Sequence, residues 1–137
     1  MSAAGSEGEE GRRDGQAWVR RWLAAMRWQR RVEGVLARFD LSFAQWLVLD
    51  CVATIQRETR DAVSQVQVGR RLELGKGSIS RLMTRLDRRG LTDIAPAWPT
   101  KEYRIYLTAK GKELVAQGWA VVELVSRSAP EELSAGR

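Results

Sequence analysis

Lys76, Ser78, Ser80, Arg81, Thr84 and Arg85 lie close together in the chain and carry the donors that nucleic-acid recognition uses. Serine and threonine hydroxyls bond phosphates or base edges, and an arginine guanidinium makes the paired contact to guanine that the major groove offers. The stretch that holds them, KGSISRLMTRLDRRG over residues 76–90, also places Ile79, Leu82, Met83 and Leu86 at i, i+3, i+4 and i+7. That spacing predicts a helix with one apolar face, its hydroxyls and cations turned away from it. An ordinary solvated basic helix has the same composition, so the flanking elements decide between the two readings.

The bulk properties narrow the chemistry. The chain has 137 residues and 44% apolar composition, enough for one domain with a real core. Its 23 Lys and Arg against 17 Asp and Glu give a net charge of +6, which favours a polyanionic partner over an acidic-substrate pocket. Residues 76–91 concentrate that charge, with five basic residues and one acidic. There is no histidine and a single cysteine, so the usual zinc sets, catalytic triads and histidine acid/base pairs cannot be assembled from one chain. No Asp/Glu pair stands in a recognisable catalytic setting. The expectation is therefore a protein that is not an enzyme and needs no cofactor or metal. No apolar segment precedes residue 16 that would serve as a signal, so a reducing cytoplasm is expected and no membrane association.

The elements that position the 76–90 helix follow in order. Residues 1–15 contain Gly, Ser, Ala and Glu with no Val, Ile, Leu or aromatic, and are expected to be a disordered tail. Trp18, Trp22, Ala25, Gln29, Val32, Leu36 and Phe39 then alternate at spacings of four and three, the seam of a long helix. Val19, Leu23 and Met26 widen its stripe enough to serve both its own core and a second subunit. Ser42 with Gln45 forms a capping box ahead of Trp46, Leu47, Val48, Leu49, Val52 and Ile55, a core helix followed by a polar connection over 56–61. Ser64 with Gln67 repeats the signal for a short helix whose apolar face is Val63, Val66, Val68 and Leu72. Gly75 and Gly77 bracket the turn into the 76–90 helix, a helix-turn-helix pattern. Gly90 closes that helix, and runs at 91–95 and 103–107 are expected to pair as a β-hairpin around the prolines Pro96 and Pro99. Thr108 caps a last helix carrying Leu114, Val115, Trp119, Val122 and Val125, ending by Pro130. The fold class is thus mainly α with a small β-hairpin: a winged helix-turn-helix over 16–128 with long N- and C-terminal dimerisation helices, and a tail over 129–137.

Three fragments in this order, S-x-x-Q-V-G-x-x-L (Ser64 to Leu72), S-I-S-R-L-M-x-R-L-x-x-x-G-L (Ser78 to Leu91) and I-Y-L-T-x-x-G (Ile105 to Gly111), resemble the winged-helix regulators of the MarR family. The resemblance covers about residues 16–128. It implies a homodimeric transcriptional regulator, expected to be a repressor, that binds double-stranded DNA at a pseudo-palindromic operator. Carried over by position, Ser78, Ser80, Arg81, Thr84 and Arg85 face bases or phosphates, and Lys101 stands where the family's wing-tip arginine sits. Lys76, Arg88, Arg89 and Arg104 are expected to add phosphate attraction, placing the protein on the nucleoid when bound. The sequence departs from the family where its acidic-basic-basic wing motif reads Pro99, Thr100, Lys101, where Ile94 replaces a basic residue, and past Pro130, where a further dimerising helix is usual.

Remaining features have two readings each. Cys51 is either a small apolar core residue or a redox sensor. Trp22, Trp46 and Trp119 either pack the core and interface or line a pocket for a small aromatic or phenolic ligand. Trp98, at the wing, suits stacking on a base or covering the hairpin. The alternative function is a winged-helix protein-interaction module acting on another regulator or polymerase.

Overall fold

Ser42 and Ser64 open two helices in the same way. The Ser42 hydroxyl accepts the Gln45 N–H at 3.0 Å while the Ser42 N–H donates to Gln45 Oε1 at 3.1 Å. Ser64 and Gln67 repeat the exchange at 3.1 and 2.8 Å. Each box satisfies two otherwise orphaned donors, stabilising its helix by about 1 kcal/mol. The computed structural model describes residues 3–96, 103–128 and 133. Its elements are α1 (Ala3–Leu36), a 3-10 turn (Ala37–Phe39), α2 (Phe43–Thr59), β1 (Val63–Ser64), α3 (Gln65–Leu72), α4 (Lys76–Arg88), β2 (Thr92–Pro96), β3 (Tyr103–Leu107) and α5 (Ala109–Arg127).

Trp46, Leu49 and Val52 of α2, Ile79, Met83 and Leu86 of α4, Leu91 and Ile105 are all buried in one core. α2 thus packs beneath the helix-turn-helix while α1 and α5 lie against each other outside it. The strands form one antiparallel sheet in the order β1-β3-β2. β2 and β3 pair from Thr92 opposite Leu107 to Pro96 opposite Tyr103. This is the wing expected from the sequence. Trp98 and Lys101, expected from the sequence at its tip, lie outside the described residues.

Four details differ from the sequence expectation. The first helix begins at Ala3, so the segment read as a disordered tail is helical. Its residues 5–16 are all exposed, so the absence of apolar side chains excluded packing but not a helix. Elongating a helix that is already nucleated adds one hydrogen bond per residue fixed, and Glu7, Glu9, Glu10, Arg12 and Arg13 are good formers. α2 runs on through the expected connection to Thr59, because Gln56, Arg57 and Glu58 contain no breaker. It stops where Arg60 takes the left-handed conformation, φ 54°. Val63, assigned to the α3 face, instead belongs to β1 and pairs with Ile105, which makes the hairpin a three-stranded sheet. Val66, from the same assignment, is exposed, while Val68 and Leu72 turn inward.

The join between α4, the wing and α5 is held at one point. Gly90, φ +70°, closes α4, and Leu91 N–H returns to Leu86 O at 3.0 Å. The Thr108 hydroxyl donates to Gly90 O at 2.7 Å and accepts the Gly111 N–H at 3.1 Å, capping α5. Next to it, the Thr92 hydroxyl is buried and has no hydrogen-bond partner among the described residues. Thr92→Val keeps the branched shape and removes that unpaired group, so urea unfolding should show a gain of about 1 kcal/mol. A loss of stability would mean that the hydroxyl is satisfied in solution.

Candidate nucleic-acid interface

α4 presents the face that its periodicity required. Ile79 and Met83 are 1% exposed and Leu86 0%, with Leu82 half-buried against the same core. Lys76, Ser80, Arg81, Thr84, Arg85 and Arg88 are exposed, and Ser78 is half-buried. Ser80, Arg81, Thr84, Arg85 and Arg88 border one shallow concavity. Among the described residues no ion pair or hydrogen bond engages the guanidinium groups of Arg81, Arg85 or Arg88. The Thr84 hydroxyl donates back to Ser80 O at 2.9 Å, which leaves its oxygen as an acceptor. Gly75, the N-cap of α4, supplies no side-chain cap, and the first turn holds no acidic residue. The helix therefore keeps free N–H donors and a positive dipole end beside Lys76, a setting that suits phosphate.

The short helix in front adds residues that the sequence reading missed. A cleft of about 810 Å³ between α3, α4 and β3 is lined by Gln65, Val66, Arg70, Lys76, Ser80 and Tyr103, among others. Val66 and Tyr103 are 52% and 58% exposed, unusual for their size, and Arg70 is exposed beside them. A signal for the outer face existed in the spacing: Val68 and Leu72 lie four apart and face the core, so Val66 and Arg70, also four apart, belong to another face.

Two expected phosphate contacts are occupied elsewhere. Arg89 donates to Phe39 O at 3.2 Å and to Asp40 O, so it closes the carbonyl end of the 3-10 turn. Arg104 is half-buried, donates to Ala62 O at 3.3 Å and lies 3.8 Å from Asp61 Oδ2, which ties β3 to the strand beside it. Both guanidinium groups are thus engaged by backbone carbonyls. Lys101 lies outside the described residues.

The tryptophans do not share a pocket. Trp46 is 2% exposed and meets Trp119 edge to face at 5.1 Å, while Phe43 and Trp28 extend the same cluster. Trp119 Nε1 donates to Asp50 Oδ1 at 2.7 Å. Trp22 is 60% exposed on α1, beside Trp18, Val19 and Leu23 of the same bare apolar surface. Trp46 is thus packing, Trp22 belongs to a surface, and Trp119 borders a groove. That groove, about 700 Å³ between α2, β3 and α5, is also lined by Tyr106, Arg57, Arg60 and Lys112.

Cys51 is 4% exposed in the core, and burial pushes its thiol up despite the nearby Arg71 cation. A thiol so placed resists forming the thiolate that redox sensing requires. Arg71 instead clasps Glu58 through two bonds of 3.3 and 2.8 Å, joining α3 to the end of α2 and holding the Glu58 carboxyl below its ordinary range.

Residues 41–111 match the family described as Winged helix DNA-binding domain. An uncharacterized HTH-type transcriptional regulator of Bacillus cereus is 32% identical over 99 residues, covering 72% of this chain and 56% of that protein. A Bacillus anthracis relative of the same description gives the same values. The chain thus spans just over half the length of the curated relatives it matches. Among solved structures, a MarR mutant from E. coli complexed with operator DNA superposes with a TM-score of 0.68 at 18% identity, over 82% of this chain and 81% of that one. The S. aureus MepR–DNA complex gives 0.68 at 19%, over 82% of each chain. Overoxidized AbfR bound to DNA gives 0.69 at 24%, over 94% of this chain and 90% of that one. With its wing, its capped α3 and the free polar face of α4, the chain belongs to the winged helix DNA-binding domain family and is built as a MarR-type winged helix-turn-helix protein.

Proposed function

We propose that the protein is a DNA-binding transcriptional regulator of MarR type that represses by occupying a pseudo-palindromic operator as a homodimer. The observation that carries this reading is the row of unpaired, exposed Arg81, Arg85 and Arg88 on a helix whose opposite face is anchored in the core. Such a helix enters a major groove without rearranging, and the neighbouring MarR, MepR and AbfR folds were each solved with DNA. The homodimer is supported by Trp18, Val19, Trp22 and Leu23 on α1 and Leu124 on α5, each at least 40% exposed. So much bare apolar surface on two helices that pack together marks an interface. The reducing cytoplasm, where such a regulator meets DNA, completes the proposal.

Relief by a small aromatic or phenolic ligand is the finer part of the same reading. The groove beside Trp119 and Tyr106 supports it, with Arg57, Arg60 and Lys112 suited to an acidic group on the ligand. Gel retardation of the DNA upstream of the protein's own gene tests the whole. Retardation should be strong at low salt, weaken on addition of aromatic acids, and occur with a sedimenting dimer. Trp18→Glu/Trp22→Glu should sediment as a monomer and bind far more weakly. No retardation at low salt would remove the repressor reading in favour of a protein-interaction module. A double variant that stays dimeric would move the interface elsewhere.

A further inference from the structure

α1 carries a second line of cations that the recognition helix does not use. Arg13, Arg20 and Arg27 repeat at seven residues and Arg31 follows four later, all exposed. At 3.6 residues per turn they fall within roughly 40° of one another and span about 27 Å. Arg38 continues the line on the 3-10 turn, and Arg30 flanks it. Glu9 stands four residues before Arg13 on the same line, but from Arg20 to Arg38 the one acidic residue is Glu33, which falls well to the side of the row. Among the described residues no ion pair engages these arginines, and their one hydrogen bond is a long 3.4 Å contact from Arg31 to Ser128 O.

A solvated helix face usually interleaves opposite charges four apart, which helps the helix. Here Arg27 and Arg31 are like charges at that spacing, an arrangement that opposes folding slightly. Every cation in the row is arginine, whose planar fork matches phosphate oxygens better than an ammonium does. A protein partner would need an apolar anchor among the charges. The tryptophans Trp18 and Trp22 instead fall on roughly the opposite side of the helix. The inner end of the row meets the DNA-facing lobe, because Arg89, following α4, is bonded to Phe39 O and Asp40 O.

We propose that this row is a second, sequence-independent contact for the phosphate backbone of a DNA duplex, separate from the α4 face. It makes each subunit able to hold DNA at two places, so the protein can bridge two duplexes or two segments of one. The proposal rests on the protein binding DNA, but not on which residues read the operator.

The test uses the full chain and a duplex of arbitrary sequence, with affinity followed against salt. Arg20→Gln/Arg27→Gln/Arg31→Gln should lower the slope of log affinity on log salt by about 2 to 3 units, near 0.9 per phosphate released. Its preference for upstream DNA over the arbitrary duplex should be unchanged, and the matching Arg→Lys triple variant should keep the parent slope. Bead-bound duplex should retain a second labelled duplex through the parent protein but not through the Gln variant. A Gln variant with the parent's slope and parent-level capture overturns the proposal. If circular dichroism shows that the triple variant is unfolded, Arg27→Gln decides, with a loss of about one unit expected and no loss overturning the proposal. Arg81→Gln/Arg85→Gln separates the two readings: unchanged discrimination there removes the operator assignment and leaves the row standing.

Discussion

Arg81→Ala should weaken operator binding by about 1–3 kcal/mol, roughly 5- to 150-fold, and bring the affinity towards that for random DNA. The size follows from what the side chain has to offer. Arg81 is exposed on the outer face of α4, without a partner among the described residues, so its donors enter a complex without first breaking an internal bond. Its backbone is held by Ile79 and Met83 on either side, each 1% exposed, so little order remains to be imposed on binding. A bidentate contact to guanine discriminates between bases, whereas a phosphate contact weakens all sequences alike. Titration of the variant against upstream and random duplexes distinguishes these outcomes. A uniform loss on both would make Arg81 a phosphate clamp and pass base reading to Arg85 or the serines.

Local signals in the sequence located most of the elements that carry the α4 face. Ser42 with Gln45, Ser64 with Gln67 and Thr108 each cap the helix that they announced, because a cap needs partners only three residues away. The apolar residues of α4 turned inward for the same reason, their spacing being a property of the helix alone. What was not legible depends on residues far off in the chain. Arg89 and Arg104 have the composition of phosphate contacts, but the carbonyls that engage them are 49 and 42 residues away. Strand β1 is two residues long and exists through its pairing with β3, so no local pattern marks it. The same limit applies to the tryptophans, whose helical spacing is alike although Trp46 is enclosed and Trp22 bare. Charge and periodicity identify a face, while tertiary contacts determine whether that face remains free.

Gly111→Ala should destabilise the fold by about 3 kcal/mol, the upper part of the range for overpacking a filled site. A Cβ at Gly111 would lie 2.1 Å from Leu91 O and 3.1 Å from Leu91 C, with Leu107 Cδ2 at 3.4 Å. The close neighbour is backbone, so no rotamer change relieves the clash and α5 has to move away from the turn after α4. Leu91 O accepts the Thr108 N–H, and Thr108 in turn holds Gly90 O and caps α5. Displacing α5 therefore loosens the point that sets α4 against the wing. Gly34→Ala provides the opposite-sign control: that position is exposed in the last turn of α1 with nothing within 4 Å, and removing a helical glycine there should stabilise by about 0.5 kcal/mol. Urea unfolding of the two variants should move the midpoint in opposite directions. The Gly111 variant, assayed where it is still folded, should also bind operator less well, although no DNA-facing side chain has changed. If it unfolds with the parent's midpoint, the helix is not seated against Leu91 in solution, and the α4–wing geometry is set by the core beneath it rather than by this join.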